Sequence, residues 1–113
     1  MPFIELKTDK KISHEIEAEL IREFGKAIET FPGKTETYLM VSIEGGQSMA
    51  FAGVIGNCCM VTVDLLGSAT PEVYEKMTER TCKLVSQALG IPQDRIYVKY
   101  SEFTTWGWNG FNF

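Results

Sequence analysis

Apolar residues recur along this chain with two alternating periods. From Pro2 to Lys7 they take every second position, with Pro2, Ile4 and Leu6 on one side and Phe3, Glu5 and Lys7 on the other. That alternation is the signature of a half-buried strand. From Ser13 to Phe31 the period changes to 3.6, and Ile16, Leu20, Phe24, Ala27, Ile28 and Phe31 form one stripe of a helix. Ser13 is placed to cap its start, and Pro32-Gly33 ends it. A second strand is predicted over Tyr38 to Glu44, with Leu39, Val41 and Ile43 on one face, broken by Gly45-Gly46. Gln47 to Gly56, small and apolar, reads as a short strand plus a loop, and a long strand follows from Cys58 to Leu66. Thr70-Pro71-Glu72 opens a second helix through Val73, Met77, Leu84, Val85, Ala88 and Leu89, which Gly90 closes. Arg95 to Glu102 is the last predicted strand, and an aromatic tail closes the chain.

The order is strand, helix, strand, twice, with the halves meeting near Gly56. The predicted fold is therefore α/β (α+β): two βαβ units forming a four-stranded mixed sheet with both helices on one face. Residues 1–113 are read as one domain. Two helices cover only one face of such a sheet. The other carries Phe3 and Met40 or their neighbours and stays wet unless another chain covers it, so self-association into an oligomer is expected.

Bulk composition narrows the partners. The chain is 44% hydrophobic, enough for a core, and its net charge is -4 with no basic run longer than Lys10-Lys11. A nucleic-acid partner favours a basic face, so that class is set aside. The apolar start is interrupted by Glu5 and runs into Lys7, Asp9, Lys10 and Lys11, which fits neither a signal peptide nor a membrane span. The expected location is cytoplasmic, with secretion lacking a signal peptide as the alternative. Cys58, Cys59 and Cys82 form no CxxC pair and no disulfide framework, and the single histidine, His14, excludes a Cys/His zinc pattern. The cysteines are expected to be reduced and packed, with the side chains of Cys58 and Cys59 pointing to opposite faces of a strand.

Four places carry candidate chemistry. Met1-Pro2 matters because a proline freed of its methionine is a rigid secondary amine, and an α-amino group titrates near neutrality when burial or positive charge lowers its pKa. Gly33-Lys34-Thr35 lacks the first glycine of a phosphate loop, since Ile28 stands there; what remains is a lysine at a helix-to-strand turn, a surface charge or an anion holder. Tyr97 and Lys99 share one strand face, as an exposed row or one side of a polar pocket. Trp106, Trp108, Phe111 and Phe113 crowd the tail and call for a pocket or a neighbouring subunit to cover them.

The segments MPFIEL at the start, Gly33-Lys34, MAFAG at Met49 to Gly53, LLG at Leu65 to Gly67, DRIYVKY at Asp94 to Tyr100, and the tail from Gly107 to Phe113 occur in an order and spacing that resemble the macrophage migration inhibitory factor and D-dopachrome tautomerase family over the whole chain. The resemblance implies a homotrimer with pockets between subunits, and keto–enol tautomerisation of an α-keto acid such as phenylpyruvate, with no metal or cofactor. It implies Pro2 as the catalytic base and Lys34 as the holder of a substrate carboxylate. Leu66 stands where the family has an isoleucine whose backbone meets substrate. Phe3, Tyr38, Trp106, Trp108 and Phe113 are the implied pocket lining, and Tyr97 and Lys99 come from the adjacent subunit. Three departures stand out. Lys99 replaces the family's pocket asparagine and adds a cation; Cys58 matches the first cysteine of the mammalian CxxC but Val61 fills the second place; and Thr35 replaces a usual proline, loosening that turn. Two other functions stay open: a cytokine-like secreted protein that binds a receptor and whose pocket is incidental, and a different chemistry of the wider superfamily, such as decarboxylation or hydration, tied to Lys99.

Overall fold

The N-terminal alternation is realised in a computed structural model that describes residues 1–113. Strand β1 (Pro2–Thr8) buries Pro2, Ile4, Leu6 and Thr8 and leaves Phe3, Glu5 and Lys7 on the opposite side. Helix α1 (His14–Ala27) is capped by Ser13, whose hydroxyl accepts the Ile16 N–H at 3.2 Å. It is shorter than the predicted span to Phe31, because the chain tightens into a 3₁₀ turn over Ile28–Thr30. Ile28 and Phe31 stay buried nonetheless, so the stripe reported burial beyond the helix end. The next strand, β2 (Met40–Glu44), begins two residues later than predicted, since Glu36–Tyr38 forms a 3₁₀ turn.

Gln47 to Gly56 resolves into a hairpin of two short strands, β3 (Ala50–Phe51) and β4 (Val54–Ile55). The long strand is β5 (Cys59–Leu66), and α2 (Pro71–Leu89) follows with Thr70 as its cap and Gly90 closing it at φ 70°. A 3₁₀ turn at Gln93–Arg95 leads into β6 (Ile96–Phe103), one residue later than predicted at each end. The aromatic tail is a second hairpin, β7 (Gly107–Trp108) and β8 (Phe111–Asn112).

The four main strands form one mixed sheet in the order β2-β1-β5-β6. Strands β1 and β2 are parallel, as are β5 and β6, and the two pairs meet antiparallel across β1 and β5. This is the predicted pair of βαβ units. One core cluster unites Ile4, Leu6, Val61, Val63 and Leu65 of the sheet with Leu20 and Phe24 of α1 and Met77 and Val85 of α2, so both helices share a face. Each such side chain contributes about 1.5–3 kcal/mol through burial. On the uncovered face Met40 is 68% exposed and Tyr97 58%. Lys7 there meets Glu5 at 3.9 Å and Glu44 at 3.8 Å, exposed pairs of small energetic weight. No helix is long and apolar enough to cross a membrane.

Thr81 on α2 is fully buried, and its hydroxyl finds no hydrogen-bond partner in the protein. An unpaired buried hydroxyl costs about 1–3 kcal/mol. Valine has the same branching without the polar atom, so Thr81→Val is expected to raise the thermal midpoint; a lower midpoint would show that the hydroxyl is satisfied in solution.

Candidate active site

Three chain segments converge at the N-terminal end of β1. Gly33, at φ 77°, lets the chain turn after Pro32, and the Lys34 N–H closes that turn on the Phe31 carbonyl at 3.1 Å. The turn aims Lys34 across the end of β5, where Nζ donates to the Leu66 carbonyl at 3.1 Å. The Leu66 N–H in turn donates to the Met1 carbonyl at 3.0 Å. The N-terminus, Lys34 and Leu66 are thereby locked together by backbone geometry. Partial burial of the terminal ammonium, then the Lys34 charge and a hydrogen bond from Lys34, hold its pKa below the ordinary 8.0. With Met1 in place the Pro2 nitrogen is a tertiary amide. Its removal makes that nitrogen the terminal amine, one residue further in.

A cleft of about 450 Å³ opens beside the terminus, lined by Met1, Pro2, Phe3, Tyr38, Trp106 and Trp108 together with Thr37, Leu39, Met40 and Gly107. Its aromatic wall is built by the tail hairpin. Asn109 and Gly110 sit at φ 53° and 83°, the two positive values a tight two-residue turn requires. The Phe113 N–H returns to the Trp106 carbonyl at 3.0 Å. Trp108 meets Tyr38 edge-on with ring centroids 5.5 Å apart and stacks on Phe113 at 5.6 Å. Phe113, expected to line a pocket between subunits, is not part of this single-chain cleft; its ring meets Tyr38 at 6.1 Å and stacks on Trp108. Lys34 and Leu66 line an adjoining cavity of about 250 Å³ with Phe31, Ser68 and Thr70 rather than the aromatic cleft itself. Thr35, where a looser turn was expected, caps the 3₁₀ turn that carries Tyr38, its hydroxyl accepting the Thr37 N–H at 3.4 Å.

Tyr97 and Lys99 do share the uncovered face of β6, but a single chain does not bring them to Pro2. Pro2 pairs with Leu65, which pairs with Glu102, whereas Tyr97 pairs with Met60. Five strand residues separate Tyr97 from the register of Pro2, about 16 Å along the strand. Strand β6 is also the edge of the sheet.

The three cysteines are free thiols. Cys58 and Cys59 are both buried; Cys58 lies between the bend at Gly56-Asn57 and the start of β5, not on a strand face. This corrects the expected opposite-face placement. Burial pushes the Cys59 thiol up to about 12 and raises that of Cys82, so neither is a thiolate at neutral pH. No cluster of three or more His, Cys, Asp or Glu side chains is placed to hold a metal ion.

The sequence reading named neither Thr37, Leu39 and Met40 as cleft residues nor Phe51 and Arg95 at the other end of the sheet. For Met40 the signal was available: it alternates with Val41 on a strand whose apolar row faces inward, which aims it outward beside Phe3.

Comparison with known proteins agrees with this architecture. The family model described as macrophage migration inhibitory factor (MIF) matches residues 1–113. A macrophage migration inhibitory factor homolog of Brugia malayi is 26% identical over 115 residues, covering 100% of this chain and 99% of its own length. D-dopachrome decarboxylase-B of Xenopus laevis is 27% identical over 113 residues, covering 97% of this chain and 95% of its own. The crystal structure of Leishmania major MIF2 superposes with a TM-score of 0.93 at 29% identity, covering 100% of this chain and 97% of that one. With the family model matched over its full length and the same fold in a solved relative, the chain belongs to the macrophage migration inhibitory factor family.

Proposed function

We propose that this protein is a keto–enol tautomerase in which Pro2, freed of Met1, is the catalytic base. The observation that carries this reading is the position of the chain terminus: the Met1 amine sits beside Lys34, where burial and that cation lower its pKa, and Pro2, next in the chain, lines the aromatic cleft. In a rigid secondary amine one residue further in, the same burial and the same cation disfavour the ammonium form and favour the free base.

The reaction balances within the cleft. The Pro2 nitrogen takes a proton from the carbon beside the substrate carbonyl. The C–H electron pair forms the C=C bond, and the carbonyl π pair moves to oxygen. The resulting ammonium returns its proton to that oxygen, giving the enol and restoring the neutral amine. No oxidant, reductant or co-reactant is consumed. Lys34 holds the substrate carboxylate, and the walls of Phe3, Tyr38, Trp106 and Trp108 exclude water, so the charge developed in the enolate is met by fixed groups instead. An α-keto acid with an aromatic side chain, of the phenylpyruvate kind, suits a cleft that is mostly aromatic with the Lys34 cation in the cavity beside it. The Xenopus relative is named for a reaction of D-dopachrome, a decarboxylation, which keeps a small-molecule reaction among this chain's relatives.

The working assembly is a homotrimer in which Tyr97 and Lys99 of one copy reach the cleft of the next. Its support is the separation of Tyr97 from Pro2 within one chain, the exposed sheet face and the free edge of β6. Tyr97 then donates to the enol oxygen, and Lys99 adds a second cation. Light scattering is expected to give three times the 12.7 kDa chain mass, with phenylpyruvate turned over by the trimer. A stable monomer would overturn the shared site, and a trimer with an open cleft and no turnover would favour a binding protein.

A further inference from the structure

Arg95, at the end of the 3₁₀ turn before β6, makes the densest set of hydrogen bonds of any side chain here. Its Nε donates to the Asn57 carbonyl at 2.7 Å, Nη1 to Phe51 at 3.3 Å, and Nη2 to both Val54 at 3.1 Å and Gly56 at 2.8 Å. It belongs to none of the three ion pairs. All four acceptors lie in the segment from Phe51 to Asn57, which contains the β3–β4 turn. That segment converges on one guanidinium because its backbone reverses repeatedly: Ala52, Gly53, Gly56 and Asn57 have φ of 53°, 77°, 78° and 53°. The left-handed value at Ala52 is a sparsely populated state for a residue with a Cβ, and persists where surroundings over-determine it. Asp9 holds the residue that follows this segment, Oδ1 accepting the Cys58 N–H at 3.0 Å.

The clamp ends on an aromatic. The guanidinium carbon lies 5.2 Å from the centre of the Phe51 ring, and that ring lies 4.8 Å from the ring of Tyr97. Arg95 and Tyr97 are two residues apart, so one short stretch of chain holds the hairpin and is itself braced by it. Tyr97 remains 58% exposed, its ring fixed on one side only.

We propose that Arg95 is a positioning residue for the tautomerase site: by clamping the hairpin it seats Phe51 against Tyr97 and so fixes where the Tyr97 hydroxyl enters the neighbouring copy's cleft. This rests on the reading of Tyr97 as a substrate-facing group. Lysine keeps the charge but cannot reproduce a fork that reaches four carbonyls.

The test is a double-mutant cycle on the intact trimer with phenylpyruvate as substrate, following kcat and KM separately. Arg95→Lys is expected to lower kcat about tenfold in the parent and less than twofold in Tyr97→Phe, because positioning matters only while the hydroxyl is there. Phe51→Leu, which leaves all four bonds to Arg95 in place, is expected to show the same coupling and serves if Arg95→Lys fails to assemble. A merely structural role would lower kcat by the same factor in both backgrounds, alongside the thermal midpoint, and would overturn the positioning role alone. If Tyr97→Phe itself leaves kcat and KM unchanged, the cross-subunit reading of Tyr97 fails, and the role of Arg95 falls with it.

Discussion

Inserting one alanine between Met1 and Pro2 is expected to abolish turnover without unfolding the protein. After methionine removal the new terminus is alanine, and the Pro2 nitrogen becomes a tertiary amide with no basic lone pair. The extra residue lies before β1, so the ladder from Pro2↔Leu65 to Thr8↔Cys59 is undisturbed. A positioned general base contributes about 10²–10⁴-fold, and a loss in that range is the expected result. Pro2→Gly keeps a terminal amine but loses the ring, so a reduced rate should survive. The pH profile supplies the independent check. The base acts only when neutral; burial followed by the Lys34 charge lowers the Met1 amine from its ordinary 8.0, and the same surroundings act on the Pro2 amine once Met1 is gone. In the parent, kcat/KM is therefore expected to rise with pH through a midpoint below that value and then level off. An insertion variant that assembles, folds and turns over substrate at the parent's rate would overturn the role of Pro2.

The same terminus shows why some of the molecule was legible from sequence and some was not. Helix starts were readable because Ser13 and Thr70-Pro71 act locally: each cap bonds a backbone N–H three residues on. The end of α1 was not, because burial and helicity part company there. Ile28 and Phe31 keep the apolar stripe while the backbone tightens beneath them. The tail hairpin had a local signal in Asn109-Gly110, the dipeptide best suited to a two-residue turn, but clustered aromatics drew the reading toward a covered tail instead. The structure brings Pro2, Phe3, Tyr38, Trp106 and Trp108 to one cleft and puts Lys34 and Leu66 in a second cavity, a division that rests on tertiary contacts and leaves no mark in the sequence. Arg95 was invisible for a different reason. Its partners are backbone carbonyls of Phe51 to Asn57, and a carbonyl carries no residue-type signature in a sequence.

Replacing Lys34 by methionine, which keeps the length and removes the charge, separates its two roles and is expected to weaken both. As carboxylate holder, Lys34 makes a charge-assisted contact of about 1.5–3 kcal/mol, so kcat/KM for phenylpyruvate should fall roughly 10–100-fold, mostly through KM. The methyl ester, which has no carboxylate charge, should lose far less. As neighbour of the Met1 amine, Lys34 lowers its pKa by repelling the ammonium and by hydrogen bonding, and the Pro2 amine exposed by loss of Met1 meets the same cation. Burial remains in the variant but both Lys34 effects vanish. The ammonium is then easier to keep, its pKa rises toward the ordinary value, and the pH midpoint of kcat/KM should move upward, leaving less free base at neutral pH. Lys34→Arg keeps the charge and should hold the midpoint near the parent's even if its longer fork fits the Leu66 carbonyl poorly. The Leu66 carbonyl loses its Lys34 donor in the methionine variant, so light scattering and the thermal midpoint must accompany the kinetics. A correctly assembled Lys34→Met protein with the parent's KM and the parent's pH midpoint would remove Lys34 from the site altogether. A shifted midpoint with unchanged KM would leave it only as the tuner of the base.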